Sequence, residues 1–201
     1  MVKRATDRRV QRTRQLLQDA LIAMMIEKGY EATTVQDIID RANVGRATFY
    51  AHFADKDTLL ASRLEDLRSF LGERQRQAPG SFGFSLAMLD HARSHVPVWR
   101  AIVGRESGAL VLQRVQSMIA DLAGSDLKAL SFAGTRAQRD LAVQYIAGAF
   151  MAVLTWWLDR GANLSPEEVD AIFRRLVMEG VAGEWGLRAP VKGKAPHLKS
   201  I

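Results

Sequence analysis

The chain contains no cysteine among its 201 residues, which excludes a disulfide framework and a thiolate metal site and fits a reducing compartment. It also lacks a long apolar run. The longest, around residues 147–158, is too short to span a bilayer, and the first residues lack the apolar stretch of a signal peptide. A chain of 201 residues is long enough to bury a hydrophobic core without disulfides or a structural metal. Because the sequence shows neither a membrane span nor a signal peptide, we expect a cytoplasmic protein with no membrane partner.

Signatures of catalysis are missing as well. The sequence has no glycine-rich phosphate loop, no nucleophile elbow and no pair of catalytic carboxylates. His91 and His95 lie four residues apart on a predicted helix, beside Asp90, and a metal ion can use that spacing. No third ligand has a convincing spacing, and two surface histidines are the commoner explanation. We therefore predict no enzyme, no metal site and no cofactor.

Acidic residues are scarce at both ends of the chain, so the net charge of +6 is unevenly distributed. Residues 1–14 carry six basic side chains and one acidic one, and residues 188–199 carry four basic ones and no acidic one, which leaves the remainder mildly acidic. We predict a basic arm over residues 1–8 that enters or skirts the minor groove of DNA, and a disordered basic tail over 188–201. The alternative for each end is a solubilising segment without a ligand.

Apolar residues recur with helical spacing, and no segment alternates between hairpin turns, so we predict an all-α fold. A three-helix domain is expected over residues 9–56 and a larger helical domain over residues 57–187. The predicted helices cover about 9–28, 35–42, 45–52, 56 to the Pro79-Gly80-Ser81 break, 83–95, 97–104, 107–129, 136–160 and 166–182.

Residues 33–53 have the organisation of a helix-turn-helix. Two short predicted helices are joined by a tight turn at Asn43, which is too short to let them run antiparallel, and the second helix of such a motif lies in the major groove. An isolated amphipathic stretch of this length is more often a plain surface helix. The upstream basic arm, the threonine-capped helix before it and Lys56 just after it favour DNA binding.

The second helix of this motif has two distinct faces when its residues are placed at 100° intervals. Phe49 and Phe53 lie on the side that packs against other helices. Ala47 and Ala51 lie opposite, where small side chains let a helix sit deep in the groove. Polar side chains occupy the flanks, with Arg46 and Tyr50 on one and Thr48 and His52 on the other. Flanking positions face the phosphates, and the arginine is long enough to reach a guanine edge.

Several segments of residues 9–60 follow one family pattern. They are the link Gly29-Tyr30-Glu31-Ala32-Thr33-Thr34, Ile38 and Ala42 in the second helix, Val44-Gly45-Arg46-Ala47-Thr48-Phe49-Tyr50-Ala51-His52-Phe53, and Asp55-Lys56-Asp57. The chain thereby resembles the tetracycline-repressor (TetR/AcrR) family of bacterial transcriptional regulators.

Three positions depart from that pattern. Asn43 replaces a glycine in the turn, and asparagine tolerates the left-handed conformation. Gly45 replaces a serine at the helix N-cap, a loss of a few tenths of a kcal/mol. Ala47 replaces a glycine and adds a methyl group to the DNA face. We expect the last two to alter the operator that is read without abolishing DNA binding.

The resemblance implies an Ω-shaped homodimer that reads two half-sites in successive major grooves, and a C-terminal domain that binds a small effector and then releases DNA. It also implies that Arg46, Ala47 and Thr48 approach bases. The residues that it implies on phosphates are Thr34, Tyr50, His52 and Lys56. The complete predicted DNA-binding set is Thr33, Thr34, Gly45, Arg46, Ala47, Thr48, Tyr50, His52 and Lys56.

The predicted C-terminal domain is rich in aromatic and methionine side chains, which are typical of a helical core and of a pocket lining. The candidates for an effector pocket are Trp99, Met118, Phe150 and Trp156. The resemblance implies that the last two long helices form the dimer interface, for which the candidates are Tyr145, Gly148, Ala152, Ile172, Phe173 and Leu176. Packing within one subunit is the alternative for each of these residues.

These patterns predict a sequence-specific transcriptional regulator, most simply a repressor that dimerises on a palindromic operator of double-stranded DNA and is released by a small molecule. The alternative is a helix-turn-helix adaptor whose C-terminal domain binds a protein partner and has no effector.

Overall fold

The computed structural model of the protein describes residues 2–77, 82–103 and 108–185, without the side chains of residues 2–7, 103, 181–182 and 184–185. Every regular element in these ranges is an α-helix, which confirms the predicted all-α fold. The helices are α1 Val2–Lys28, α2 Val35–Ala42, α3 Arg46–His52, α4 Lys56–Gln77, α5 Phe84–Ser94, α6 Val96–Val103, α7 Ala109–Ala129, α8 Arg136–Asp159 and α9 Pro166–Trp185.

The helix boundaries agree with the predicted ones to within a few residues, except at the N-terminus. Helix α1 begins at Val2 and not near Arg9, so residues 2–8 of the predicted arm are helical backbone. No proline or glycine interrupts this segment, which allows the helix to continue. The predicted break at Pro79-Gly80-Ser81 and the predicted tail over 188–201 lie outside the described residues.

Local signals explain how the N-terminal helices start and stop. Gly29 ends α1 with φ of +86°, in the left-handed region that glycine adopts at low cost. Thr34 caps α2, because its hydroxyl accepts the Asp37 N–H while the Asp37 carboxylate accepts the Thr34 N–H. Asn43 takes the left-handed conformation, with φ and ψ both 51°. This confirms that asparagine supplies the turn geometry that the motif requires.

Two apolar clusters hold the helices together. The first contains the buried side chains of α1 to α3 and the start of α4, and it also includes Ile102 of α6 and Val111 of α7. The second fills the space between the helices from α4 to α9 and includes Phe150 and Trp157 of α8. Leu64 of α4 packs against both clusters. Helices α1 to α3 and the start of α4 therefore rest directly on α6 and α7.

Helix α8 is long and apolar enough to cross a membrane, by length and composition alone. The predicted short apolar run therefore understated this helix, because Leu141, Ala142, Val143 and Ile146 extend its apolar character on the N-terminal side of residues 147–158. Phe150, Leu154 and Trp157 on its inner face are buried against the other helices of the second cluster. This packing is that of the central helix of a helical bundle.

Candidate DNA-binding surface and internal cavity

Helix α3 projects one row of side chains from the surface and anchors the opposite row in the core. Phe49 and Phe53 are buried, with 0% and 3% of their surface exposed, and their ring centroids lie 6.2 Å apart. Ala47, Thr48 and Ala51 are exposed on the other side. The two predicted faces of this helix are thus confirmed, and the outward face is free of bulky side chains.

One flank of α3 carries a cation and an aromatic ring. The guanidinium carbon of Arg46 lies 5.8 Å from the centroid of the Tyr50 ring, and its Nη1 donates to Oε1 of Gln36 on α2 at 3.4 Å. The Tyr50 ring packs edge-on against Phe49 and remains half exposed. These contacts hold a long cationic side chain beside the first turn of α3.

The N-terminus of α2, the other helix of the helix-turn-helix, is capped by Thr34. Thr34 is exposed, and its side chain shares hydrogen bonds with Asp37. Lys28 Nζ lies 2.6 Å from the Asp37 carboxylate, and this contact, followed by the Thr34 hydroxyl, keeps the pKa of Asp37 well below its usual range. At the start of α3, Gly45 offers no side-chain cap. His52 is half-buried, with its ring 6.4 Å from that of Phe53.

Two residues of the predicted DNA-binding set have internal partners. Thr33 is only 1% exposed, and its hydroxyl donates to the Gly29 carbonyl at 2.7 Å. Lys56 Nζ donates to the carbonyls of Tyr30, Glu31 and Thr33 at 3.1, 3.3 and 2.9 Å. An ammonium group has three donors, so the link between α1 and α2 uses all of them. Thr33 and Lys56 therefore position the link between α1 and α2, and the predicted phosphate contact of Lys56 is tested below by the salt dependence of DNA binding.

The link between α1 and α2 is also connected to α4 and α7. The Tyr30 hydroxyl donates to Asp57, whose carboxylate oxygen lies 3.4 Å from Nη2 of Arg114. The Lys56 ammonium stands 4.6 Å from the centroid of the Tyr30 ring. Burial, followed by the Asp57 carboxylate, raises the pKa of Tyr30, so its hydroxyl stays protonated and donates. Sequence reasoning missed this network because its members are far apart in the chain.

Helices α8 and α9 share an outward apolar face. Tyr145 and Trp156 on α8 and Ile172 and Leu176 on α9 are each between 44% and 58% exposed. Ala152 is exposed between them, and a Cβ built on Gly148 meets no atom within 4 Å. Phe173 differs from the other predicted interface residues. It is buried, with its ring centroid 5.1 Å from that of Phe150, because it lies on the inward side of α9.

The predicted pocket residues do not meet at one site. Trp99 lines an internal cavity, whereas Phe150 is part of the second cluster, packed between Phe84 and Phe173. Met118 faces a shallow groove between α4 and α7, and Trp156 is half exposed on the outer face of α8. Aromatic composition identified the domain but not the cavity, because composition does not show which side of a helix faces a gap.

The internal cavity has a volume of about 250 Å³ and lies between α1, α4, α5, α6 and α7. Its polar lining consists of Arg63 and Asp66 on α4 and His91 and His95 on α5. Much of the remaining lining is apolar and includes Ile22, Met25, Leu60, Leu67, Trp99 and Val115. Residues of both apolar clusters thus contribute to one cavity.

The two cavity histidines stack and do not converge on a common point. Their ring centroids are 4.3 Å apart with an interplanar angle of 21°, and Nδ1 of His95 lies 2.8 Å from the His91 carbonyl oxygen. Within the described part of the chain, no three His, Asp or Glu side chains are grouped as metal ligands. Burial, followed by the neighbouring His95 and Arg63, lowers the pKa of His91 to about 4.

The fold, the helix-turn-helix and the exposed row of α3 define a DNA-binding transcriptional regulator. The sequence model described as "Bacterial regulatory proteins, tetR family" matches residues 17–62. A second one, described as "Transcriptional regulator C-terminal region", matches residues 82–179. The chain belongs to the TetR family.

Individual relatives agree with this assignment. The uncharacterized HTH-type regulator YxbF of Bacillus subtilis is 32% identical over 175 residues, which are 80% of this chain but 43% of YxbF. The chain thus spans less than half the length of that relative. The HTH-type repressor KstR2 of Mycolicibacterium smegmatis is 26% identical over 185 residues, covering 81% of this chain and 87% of KstR2. The structure of a TetR regulator from Streptococcus agalactiae superposes with a TM-score of 0.64 at 26% identity, over 87% of this chain and 98% of that one.

We predict that Lys56→Met destabilises the free protein by about 1–2 kcal/mol, because it removes charge-assisted hydrogen bonds to the link between α1 and α2 while keeping the alkyl chain over Tyr30. The salt dependence of DNA binding should keep its slope, whereas loss of a phosphate contact would reduce the slope by about one. Denaturant unfolding and DNA titrations at several salt concentrations measure the two effects. Lys28→Met, which removes a partly exposed ion pair, is the matched control and should cost less than about 1 kcal/mol.

We also predict that His91 titrates near pH 4 in the folded protein, as followed by NMR of its ring protons. The unfolded chain takes up this proton near pH 6.5, so this group makes the free energy of unfolding fall as the pH drops from about 6.5 to about 4. His91→Asn should weaken that dependence. A titration midpoint near 6.5 for His91 would contradict its burial in the cavity wall.

Proposed function

We propose that this protein is a cytoplasmic transcriptional repressor, without enzymatic activity, that dimerises on a palindromic operator and is released by a small-molecule effector. The single observation that carries the proposal is the arrangement of side chains on α3. It is a helix with two buried phenylalanines on one side, a row of small exposed residues on the other, and polar side chains along the flanks. That arrangement suits insertion into a major groove about 12 Å wide. The relative KstR2 is a repressor, which supports the sign of the regulation.

The proposed contacts follow from the exposed row. Arg46, Ala47 and Thr48 approach base edges, because they lie on the first turn of the recognition helix. Phosphate contacts come from the hydroxyls of Thr34 and Tyr50 and the imidazole of His52. Gly45, without a side chain, lets the start of α3 come close to the DNA backbone.

Dimerisation is proposed through the outward apolar face of α8 and α9. Its half-exposed large side chains, Tyr145, Trp156, Ile172 and Leu176, flank an apolar groove of about 230 Å³ between the two helices. A patch of this kind on a soluble protein marks an interaction site. A second copy of the same face, related by a two-fold axis, would cover it and place two recognition helices on one duplex.

Selection of genomic fragments by the purified protein, read by sequencing, tests the DNA-reading proposal. The wild type should enrich an inverted repeat whose half-sites are about one helical turn apart. Arg46→Ala should lose roughly 1–3 kcal/mol per contacted base pair and relax the preference at one position of each half-site. Arg41→Ala is the matched control, because Arg41 is an exposed arginine of α2 that pairs with Glu27. Enrichment by Arg46→Ala of the same repeat with unchanged preference would exclude a base contact.

Replacement of Gly148 tests the dimer. Because nothing lies within 4 Å of a Cβ at this position, Gly148→Trp should fold as a monomer and lose operator binding. Light scattering gives the mass, and circular dichroism checks the fold. Gly72→Trp on α4, where a Cβ meets only the end of the Arg76 side chain at 3.7 Å, is the control and should stay dimeric. A Gly148→Trp protein that remains dimeric and binds normally would place the interface elsewhere.

A further inference from the structure

The wall of the internal cavity is mostly apolar and carries one carboxylate and one guanidinium. Eleven of its fifteen lining residues are apolar, and Leu67, Trp99 and Val115 among them are buried. The carboxylate of Asp66 and the guanidinium of Arg63 are about one helical turn apart on α4. A charged ligand of either sign is therefore attracted by one of these groups and repelled by the other.

The polar side chains of the wall have partners or water outside the cavity. Asp66 is exposed, and its carboxylate accepts a hydrogen bond from the Gln18 amide of α1 at 2.8 Å. Arg63 is half-buried, and a side chain of its length can keep the charged end in water. His91 is neutral at pH 7, because burial lowers its pKa to about 4, and His95 bonds to the His91 carbonyl through Nδ1. An ion that enters thus loses hydration against an apolar wall without gaining a dedicated counter-charge.

Helix α1 forms one side of the cavity. Ile22 and Met25 line it, and residues three apart share a face of a helix. On the same side, one turn earlier, the Gln18 amide donates to Asp66 and to Ser62 of α4, at 2.8 and 3.2 Å. This side of α1 therefore meets α4 through hydrogen bonds at Gln18 and through the cavity at Ile22 and Met25. A ligand in the cavity touches a helix of the DNA-binding unit without an intervening side chain.

We propose that the cavity binds an uncharged, compact apolar molecule, which contacts α1 directly through Ile22 and Met25. This inference rests on the effector function proposed above and names the chemical class of that effector. The driving force is the transfer of an apolar body from water to an apolar wall. The balanced charges of Arg63 and Asp66 give no preference for an anion or a cation, so the neutral form of such a molecule binds best.

The cavity volume limits the size of the ligand. A cavity of roughly 150 Å³ lined by apolar side chains holds benzene, and this one has about 250 Å³. The molecule is therefore of the order of one or two rings. Trp99 supplies an aromatic surface, and Met25 supplies a flexible side chain that adjusts to the shape of the ligand.

Three probes of nearly equal size and different charge test the proposal on the wild-type protein without DNA. They are 1-methylnaphthalene, 1-naphthoate and 1-naphthylmethylammonium. Protein is titrated into each probe in a calorimeter, because the neutral probe is sparingly soluble. The neutral probe should bind roughly tenfold or more tightly than either ion, since each ion loses hydration in the cavity. No binding of 1-methylnaphthalene at its solubility limit, or an ion that binds as tightly, would overturn the proposal.

NMR of the methionine methyl groups tests the contact with α1. In protein labelled with ¹³C at these methyls, the Met25 resonance is assigned by its loss in Met25→Leu. It should show nuclear Overhauser effects to the ring protons of bound 1-methylnaphthalene. Met24 is the matched control, because it is the preceding residue of α1, half-buried and outside the cavity wall, and should show none. Effects at Met24 and none at Met25 would place the ligand elsewhere.

A variant that fills the cavity tests its location independently. Val98 lines the cavity and is half-buried, so Val98→Phe should weaken 1-methylnaphthalene roughly tenfold by occupying part of the space. Val143→Phe is the control, because Val143 is a half-buried valine of α8 that packs against the second cluster outside the cavity. Circular dichroism checks that both variants fold, and the methyl measurement on the wild type needs neither. A folded Val98→Phe protein with wild-type affinity would overturn the assignment of the ligand to this cavity.

Release of the selected operator by 1-methylnaphthalene is a separate measurement. Binding with the expected Met25 contact but without loss of DNA supports the cavity chemistry and counts against the effector function. Release by either ion as readily as by the neutral probe keeps the effector function and overturns the preference for an uncharged ligand. The two proposals therefore fail in distinguishable ways.

Discussion

The apolar core that the DNA-binding helices share with α6 and α7 is the contact on which the rest of the structure depends. Leu17 and Leu21 of α1 and Leu60 of α4 are buried together with Ile102 and Val111 from the C-terminal helices. Each such side chain contributes about 1.5–3 kcal/mol when fully buried. The orientation of α3 is consequently set by the whole molecule, because Phe49 and Phe53 anchor it in this same core.

The cavity lies where this shared core meets the core of the C-terminal helices, which is the position that the proposed effector function requires. Met25 and Leu60 belong to the cluster under the recognition helix, whereas Leu67 and Trp99 belong to the cluster of the C-terminal bundle, and all four line the cavity. An effector of the kind proposed above would contact both units at once there. It would shift the balance between two arrangements of the recognition helix only by as much as its affinity differs between them.

Local signals allowed much of the N-terminal structure to be predicted from the sequence. Asn43 in the turn, Thr34 before α2, and the spacing of Phe49 and Phe53 each depend on residues within four positions of one another. The capping box at Ser165, whose N–H donates to the Glu168 carboxylate at 2.8 Å, is a local signal of the same short range.

Long-range contacts explain what sequence reasoning missed. Lys56 was expected on a phosphate, which stays a prediction, but its contacts with carbonyls more than twenty residues earlier in the chain could not be predicted from local sequence. The outward face of α9 was expected to include Phe173, yet its ring is buried and packs against that of Phe150 at a centroid distance of 5.1 Å. Trp99 was selected for its chemistry, and only the packing of five helices shows the cavity beside it.

The distance between the two recognition helices of a dimer tests the central claim most directly. Because the chain has no cysteine, Ala51→Cys gives a single spin-labelling site on exposed α3, and pulsed electron resonance then measures the separation in the dimer. A dimer joined through α8 and α9, with α3 fixed by the shared core, predicts one narrow distance close to the roughly 34–36 Å between successive major grooves. No dipolar coupling, or a broad distribution from independently moving DNA-binding helices, would contradict it.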